Sequence, residues 1–297
     1  MKASSSSGSP VIPCTLSGET KAQIETYAAA LEKAASSIGE HGLSPAQFEE
    51  SGLFRSALER LRGRQAASMG VKRKFIAEVL DYLKTAGRIT DAKFTGTSER
   101  HDYQVGVGPG HTAVFEAKGC LDGNNTTIFQ RPPNADEFFI WSLCQNAGAD
   151  PRKNVWSGIH TRLSATIIAE QIRVDALVVW DMCCGTIARP CPKLADPTRA
   201  TILAAGRKVP PPCIYLFPKS LPDPRNNPDP PVWTLSQLPM IAAMAESFGC
   251  REEELFTVHI KTRLEKHGVE RITQLRQNGT LCRESAWTEV KRARSSG

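Results

Sequence analysis

The sequence has no apolar run that approaches the ~18 residues of a membrane-spanning helix. Its first ten residues, MKASSSSGSP, also lack the apolar core of a secretory signal peptide. We therefore expect no transmembrane segment and no secretion signal, and we interpret residues 1–17 as a disordered leader. The expected location is the cytoplasm.

Cysteine pairs of the kind that bind zinc are missing as well. The nine cysteines include no Cys-x-x-Cys pair, and this odd number in a 297-residue chain does not fit a small disulfide scaffold. Cys183, Cys184, Cys191 and Cys213 are an alternative zinc site, although zinc fingers space their ligands differently. Reduced, mostly buried thiols are the favoured interpretation.

Positive charge is concentrated in one part of the chain. The net charge is +6, and the segment 55–74 alone has seven basic residues against one acidic residue, Glu59. This local excess equals that of the whole chain. The segment is either a solvated helical face or a surface that binds phosphate groups, and Arg73 and Lys74 at its end are candidate phosphate contacts.

The first third of the sequence has a helical pattern. Residues 20–65 are rich in alanine, with Ser44 as a predicted N-cap and Pro45 at the first helical position. A further helix is predicted over KRKFIAEVLDYLKTAG, in which apolar residues recur at helical spacing and Gly87 is the stop signal.

Short β-rich segments follow this helix. RITDAKFTG, DYQVGVG and TAVFEAKG are predicted strands, and GPGH between the last two is a turn signal. NVWSGIHTRLSATIIAEQI then has helical periodicity, and VDALVVWDM is a continuous apolar run typical of a strand buried on both faces. The order helix, three strands, helix, strand predicts an α/β fold with a mixed central sheet flanked by helices.

The remaining sequence is predicted to elaborate this core. Nine of the twenty prolines lie in residues 210–231, around the strand-like CIYLF, which indicates a rigid, loop-rich excursion. LPMIAAMAESF and EEELFTVHIKTRLEKH are predicted helices. We expect one domain over 18–297, with a core at about 70–182, a helical N-terminal part (18–69) and a C-terminal elaboration (183–297).

An acid and a base stand side by side in the predicted strand TAVFEAKG. Because a strand alternates faces with period two, Glu116 and Lys118 project from one face and Phe115 and Ala117 from the other. Such a pair is common on exposed strands. Here, however, it follows an apolar run in a predicted core hairpin, which favours a functional site.

Asp102 lies where the partner strand of this hairpin begins. It faces the same side as Glu116 and Lys118 only if the connecting loop has an odd length, for example three residues with Gly110 in the left-handed conformation. Two carboxylates that converge at a strand end provide the hard oxygen ligands that Mg²⁺ prefers. A basic side chain beside them can orient or deprotonate an attacking water, or neutralise charge on a phosphoryl group.

The arrangement of a helix, a hairpin with D…ExK, a helix and a buried strand resembles the core of the PD-(D/E)XK nuclease superfamily, and the whole frame resembles a type II restriction endonuclease. The resemblance covers about residues 70–182. It implies that Asp102 and Glu116 ligate Mg²⁺ and that Lys118 is the catalytic lysine. His-Asp stands where the motif has Pro-Asp. Many members also have a glutamate on the helix before the hairpin; Glu78 is the candidate, and simple helix surface is its alternative.

The resemblance implies double-stranded DNA as the partner and hydrolysis of its phosphodiester bonds. Asn124, Asn125 and Arg131, after the ExK strand, are candidate DNA contacts, with ordinary turn chemistry as the alternative. Base contacts are expected from residues 210–231 and the C-terminal region. A palindromic target would imply a homodimer, and a restriction system would include a cognate DNA methyltransferase.

Two motifs of larger nuclease systems are absent from the sequence. It contains no GxxxxGK[ST] phosphate-binding loop and no methyltransferase-like glycine motif, which favours a self-contained nuclease. The alternatives are a nuclease of the same fold with another role, such as repair, mobile-element processing or cleavage of modified DNA, and a non-catalytic DNA-binding protein. His101 could contact substrate, although a strand-edge histidine is favoured, and packed helices are favoured over a helix-turn-helix near residue 249.

Overall fold

A ten-stranded mixed β-sheet organises the part of the chain that the computed structural model describes. The described residues are 18–54, 57, 69–95, 102–119, 121, 130–144, 151–182, 184, 191–195, 202–204 and 207–290. The strand order is β1-β2-β3-β4-β5-β8-β9-β10-β11, and β12 pairs with β10. β6 and β7 form a separate two-stranded sheet.

The central strands are parallel and the outer ones mostly antiparallel. β3, β4 and β5 run parallel, as do β8 and β9, and the remaining neighbours are antiparallel. The strands are β1 (Asp91–Phe94), β2 (Tyr103–Gly106), β3 (Thr112–Lys118), β4 (Glu137–Cys144), β5 (Ala176–Asp181), β6 (Ile202–Ala204), β7 (Arg207–Val209), β8 (Cys213–Leu216), β9 (Phe256–Glu265), β10 (Gly268–Gln277), β11 (Thr280–Glu284) and β12 (Thr288–Glu289).

The helices precede the sheet or cover its faces. They are α1 (Gly18–Lys33), α2 (Pro45–Ser51), α3 (Met69–Thr85), α4 (Pro151–Ser157), α5 (Ser164–Ala169) and α6 (Pro239–Ser247). A π-helical turn, Gly158–Leu163, joins α4 to α5 in one continuous helical segment. Short 3₁₀ turns occur at Ala35–Gly39, Pro192–Ala195, Leu235–Gln237 and Glu252–Glu254.

The two faces of the sheet have different helical covers. α3 and α6 pack on one face, where Phe75 and Met244 share a core with Phe115. The α4–α5 segment packs on the other face, where Val155 and Ile159 share a core with neighbours that include Val114, Ile140 and Leu177. Since helices cover both faces, every residue of β4 and β5 is buried.

Several predicted boundaries are confirmed. Ser44 caps α2 in a capping box with Gln47, and Pro45 is its first residue. α3 ends two residues before Gly87, which adopts a left-handed φ of 68°. The N-terminal part is helical where it is described; residues 1–17 and most of 55–68 lie outside the described ranges.

Several elements differ from the predictions, and β4 and β9 bear most on the architecture. β4 was not predicted, although EFFIWSLC is a continuous apolar run of the kind that predicted β5 and is likewise buried throughout. The helix predicted over EEELFTVHIKTRLEKH is wrong: after a 3₁₀ turn this segment forms β9, whose residues alternate between buried and partly exposed. Within the described residues of the C-terminal addition, α6 is the α-helix, and β8 to β12 continue the sheet. None of the helices in the described ranges has the length and apolarity to cross a bilayer.

Candidate active site at the open end of the β2–β3 hairpin

The β2–β3 hairpin has the loop length that the sequence predicts. Gly106 pairs with Thr112, and Val107 donates its N–H to the His111 carbonyl at 3.0 Å, which leaves the three residues 108–110 as the loop. Gly110 has a left-handed φ of 71°. Tyr103 pairs with Phe115, so the next position outward sets Asp102 opposite Glu116. By this register Asp102 belongs to the face from which Glu116 and Lys118 project.

The Asp102 carboxylate is anchored to the backbone of β3. Its Oδ2 accepts a hydrogen bond from the Ala117 N–H at 2.7 Å, and its own N–H donates to the Phe115 carbonyl at 3.2 Å. Ala117 lies between Glu116 and Lys118, so this bond fixes Asp102 beside both residues. The second carboxylate oxygen, Oδ1, is the one that a cation could use.

Glu116 and Lys118 form an ion pair at the end of β3. The Glu116 Oε2 lies 2.9 Å from the Lys118 Nζ, and the two side chains are 1% and 19% exposed. A carboxylate this deeply buried needs a positive partner, because removal from water strongly disfavours an isolated charge. The lysine supplies positive charge here, and a divalent cation could supply it too.

Ser142 supports the end of β3 from the neighbouring strand. In the parallel β3–β4 register it pairs with Lys118. Its fully buried hydroxyl donates to the Gly119 carbonyl at 2.8 Å, which fixes the peptide that follows Lys118. Sequence analysis missed Ser142 because it missed β4; the apolar run EFFIWSLC, interrupted by one serine, was the available signal.

Arg73, a predicted phosphate contact, lies against the β1–β2 strand pair. Its guanidinium lies 4.5 Å from the ring centroid of Phe94, and Phe94 pairs with Tyr103. Burial, and secondarily the charge of Asp102, raises the pKa of Tyr103, while the Arg73 charge opposes this rise. The Thr95 N–H also donates to the Asp102 carbonyl at 3.0 Å. Arg73 therefore lies at the edge strand β1, close to Tyr103.

Two other predicted residues lie on the same helix, α3. Lys74 is 74% exposed and lies 4.0 Å from Glu78 as an i,i+4 pair. α3 packs on the face of the sheet opposite to the one from which Glu116 projects. The fold does not bring Glu78 into contact with Glu116 or Lys118, so helix surface is the interpretation that the geometry favours.

Arg131 lies at the wrong edge of the sheet for the predicted DNA contact. Its Nη1 lies 2.5 Å from the Asp175 Oδ2, and its guanidinium also donates to the carbonyls of Ala135 and Asp136. These residues stand at the amino ends of β4 and β5, whereas Lys118 stands at the carboxyl end of the parallel strand β3. Arg131 therefore pairs with the buried Asp175, away from Lys118, and this placement does not support the predicted DNA contact.

The proline-rich segment, residues 210–231, runs from the carboxyl ends of the parallel strands to their amino ends. Trp180, near the carboxyl end of β5, donates to the Pro210 carbonyl at 2.8 Å. Trp233, by contrast, donates its Nε1–H to the Asp175 Oδ1 at 3.0 Å, at the far edge. The part of residues 210–231 that leads to Trp233 does not fit the predicted base contacts near Lys118.

Some predicted residues lie outside the described ranges, namely His101, Asn124, Asn125 and Cys183. Among the residues that are described, no group of three or more His, Cys, Asp or Glu side chains is arranged to hold a metal ion. The alternative zinc site therefore gains no support. Asp102 and Glu116 provide two carboxylates of the type that suits Mg²⁺, which retains several waters in protein sites.

Comparison with known proteins finds no relative of this chain. No protein-family model, curated protein or solved structure matches the chain. The arrangement of Asp102, Glu116 and Lys118 at the hairpin is therefore the basis for inferring a function.

Proposed function

We propose that the chain is a Mg²⁺-dependent endonuclease that hydrolyses phosphodiester bonds in double-stranded DNA. The observation that carries this proposal is the hydrogen bond from the Ala117 N–H to Asp102, which holds the aspartate beside Glu116 and Lys118. In this proposal Asp102 and Glu116 bind the metal, and Lys118 serves the attacking water.

The order of elements supports a PD-(D/E)XK nuclease core resembling that of a restriction endonuclease. α3 precedes the antiparallel β1–β2–β3 meander, and a helical segment connects the parallel strands β4 and β5. The proposed metal ligands lie where β2 begins and β3 ends, so main-chain pairing holds both. Because main-chain pairing fixes these residues in place, the site needs less reorganisation to reach the transition state.

The bound Mg²⁺ would supply electrostatic stabilisation of the phosphoryl oxygens and a lowered pKa for a water. A charged Lys118 would orient that water and offset the negative charge that develops on the phosphoryl oxygens, whereas a neutral Lys118 would take the proton of the water. Attack occurs in line, with the 3′ oxygen as leaving group. Ser142 keeps the backbone after Lys118 in place through Gly119, and Arg73 contacts a neighbouring phosphate.

The biological role that we propose is restriction of unmodified DNA in the cytoplasm by a type II enzyme. A homodimer would set one site on each strand of a palindromic target, and a separate DNA methyltransferase would protect the host sequence. Discrete fragments from an unmodified plasmid would support this role. Smeared products, or cleavage of modified DNA alone, would favour a repair, mobile-element or modification-dependent nuclease instead.

The test of the activity is a plasmid digest with Mg²⁺, run beside EDTA, beside Lys118→Ala and beside Lys266→Ala. Lys266 serves as the matched control. It is an exposed lysine in the β9–β10 turn, and β4, β5 and β8 separate β3 from β9 in the sheet. Cleavage that EDTA and Lys118→Ala abolish, but Lys266→Ala retains, is the expected result. Mg²⁺-independent DNA binding, with no cleavage by the unaltered chain on methylated or unmethylated DNA, would instead indicate a non-catalytic DNA-binding protein.

A further inference from the structure

Asn154, in α4, is a buried polar side chain whose amide nitrogen lacks a partner. Its residue is only 6% exposed. In the part of the chain that the structure describes, no acceptor lies within hydrogen-bonding distance of its Nδ2. A buried donor without an acceptor destabilises a folded protein, whereas an apolar side chain of similar size would avoid that cost. Asn154 therefore needs an explanation outside the fold.

The start of α4 lies at the same edge of the sheet as Lys118. β3 and β4 are parallel, and Lys118 pairs with Ser142 near the end of β4. The chain leaves β4 at Cys144 and begins α4 at Pro151. The helical segment then returns along the sheet to the amino end of β5, so its first turn lies near the carboxyl ends of the parallel strands.

The helical segment also covers the correct face of the sheet. Val155 and Ile159 belong to the same buried cluster as Val114. Val114 is separated from Glu116 by one residue of β3, so both project from one face. Glu116, Lys118 and the α4–α5 segment are therefore on one side of the sheet.

Gly158 shows which part of β3 this helix approaches. A Cβ atom at Gly158 would lie 2.3 Å from the Leu121 Cβ and 3.1 Å from the Leu121 carbonyl oxygen. Leu121 follows Lys118 by three residues and is buried. Residues four apart share a face of a helix, so Asn154 lies one turn before this contact, toward the carboxyl ends of the parallel strands.

We propose that Asn154 donates its Nδ2–H to a non-bridging phosphate oxygen of the DNA strand that is cleaved. The inference rests on the proposed function. Lys118 and the metal already provide positive charge, so a neutral amide can position the phosphate without adding to the electrostatic repulsion within the site. A charged acceptor makes this hydrogen bond stronger than one between neutral groups. Phosphate binding then satisfies a donor that the described part of the protein leaves unpaired.

The test compares Asn154→Leu with Thr262→Val on a plasmid that the unaltered chain cleaves. Thr262, in β9, is 4% exposed and has a hydroxyl without a partner among the described residues, so it matches Asn154 in burial but not in position. Both substitutions remove an unpaired polar group. We expect Asn154→Leu to lower kcat/KM about 10- to 100-fold with no fall in thermal stability, as for one hydrogen bond to a charged acceptor. Thr262→Val should leave cleavage unchanged.

Asn154→Asp is the second variant, because aspartate has the shape of asparagine and repels a phosphate. It should lower kcat/KM more than Asn154→Leu does. Normal cleavage by either variant would overturn the assignment, and so would loss of folding in both variants, which would show that Asn154 acts on the fold. If the unaltered chain does not cleave DNA, the proposed function fails and this assignment fails with it. Cleavage by the unaltered chain and by Asn154→Leu alike overturns the assignment alone.

Discussion

The Asp102 carboxylate accepts a hydrogen bond of 2.7 Å from the N–H of Ala117, the residue between Glu116 and Lys118. A side chain of one strand thereby holds the main chain of its neighbour at the end of a hairpin. The bond has two consequences that can be separated. It stabilises the open end of the hairpin, and it orients a carboxylate toward the proposed metal position.

Asp102→Asn should separate these two roles. The amide oxygen of asparagine can still accept the Ala117 N–H, so the free energy of unfolding should change little. The charge that binds Mg²⁺ is lost, and cleavage should fall at least about 100-fold.

Asp102→Ala also removes the oxygen that accepts the Ala117 N–H. It should therefore lower the free energy of unfolding by about 1 kcal/mol in addition to abolishing the charge. Urea unfolding and plasmid digestion over a range of Mg²⁺ concentrations measure both effects. Unchanged cleavage by Asp102→Asn would refute its role as a ligand.

Gly158→Ala should disturb the segment that follows Lys118. The added Cβ would meet Leu121 at 2.3 Å, and both residues are buried. We expect a loss of roughly 1–3 kcal/mol of stability, typical of overpacking, and slower cleavage because the end of β3 must shift.

Gly70→Ala is the matched control for that change. Gly70 is also helical, but a Cβ there would meet no atom within 4 Å. This substitution should be neutral or stabilise the protein by up to about 1 kcal/mol. Denaturant unfolding of the two variants measures the contrast, and equal stability would mean that the Gly158–Leu121 contact relaxes at no cost.

The hairpin could be predicted from the sequence because local rules determine it. Period-two alternation sets the faces of Glu116 and Lys118, and the Gly-Pro-Gly turn sets the parity of the loop. The hydrogen bond from the Ala117 N–H to the Asp102 carboxylate could not be predicted. It requires this side chain, and not another acceptor, to take that main-chain N–H, which sequence rules do not determine. The metal ligation itself is still a prediction.

The expectation for Arg131 depended on β4, which was not predicted from the sequence. Without β4, Arg131 appeared to belong to a loop that follows the ExK strand and remains near the site. With β4 present, Arg131 precedes the amino end of that parallel strand and lies across the sheet from Lys118. EFFIWSLC is a continuous apolar run of the kind that predicted β5, so the signal for β4, and hence for the end of this loop, was present in the sequence.

Arg271→Met should stabilise the protein. Arg271 is 5% exposed, burial lowers the pKa of its guanidinium, and within the described residues its only hydrogen bond is to the Thr273 hydroxyl at 3.2 Å. Thr273 still donates to Ser164 after the substitution. Removing a buried charge that has no acidic partner should add about 1–2 kcal/mol to the free energy of unfolding.

Arg263→Met, at an exposed ion pair with Glu270, is the control and should change the free energy of unfolding by under about 1 kcal/mol. Destabilisation by Arg271→Met would mean that the guanidinium has a partner in the folded protein.

His259 should make the protein less stable as the pH falls below about 6.5, the ordinary pKa of histidine. Burial, and then the nearby Arg276 charge, lowers the pKa of His259 in the folded state; Lys261 acts in the same direction and Asp229 opposes it. The unfolded chain therefore binds the proton more readily than the folded protein does. The contribution of His259 to the free energy of unfolding is fully present above the unfolded pKa and is lost as the pH falls through 6.5 toward the lower pKa of the folded state.

His259→Gln should remove this part of the pH dependence. His267→Gln, at an exposed histidine in the β9–β10 turn, should leave it unchanged. Urea unfolding at a series of pH values between about 5 and 8 measures the difference, because histidine is the side chain that ordinarily titrates in that range. If His259→Gln loses stability on acidification as steeply as the unaltered chain, the proton that destabilises the folded state is bound at another group of the protein.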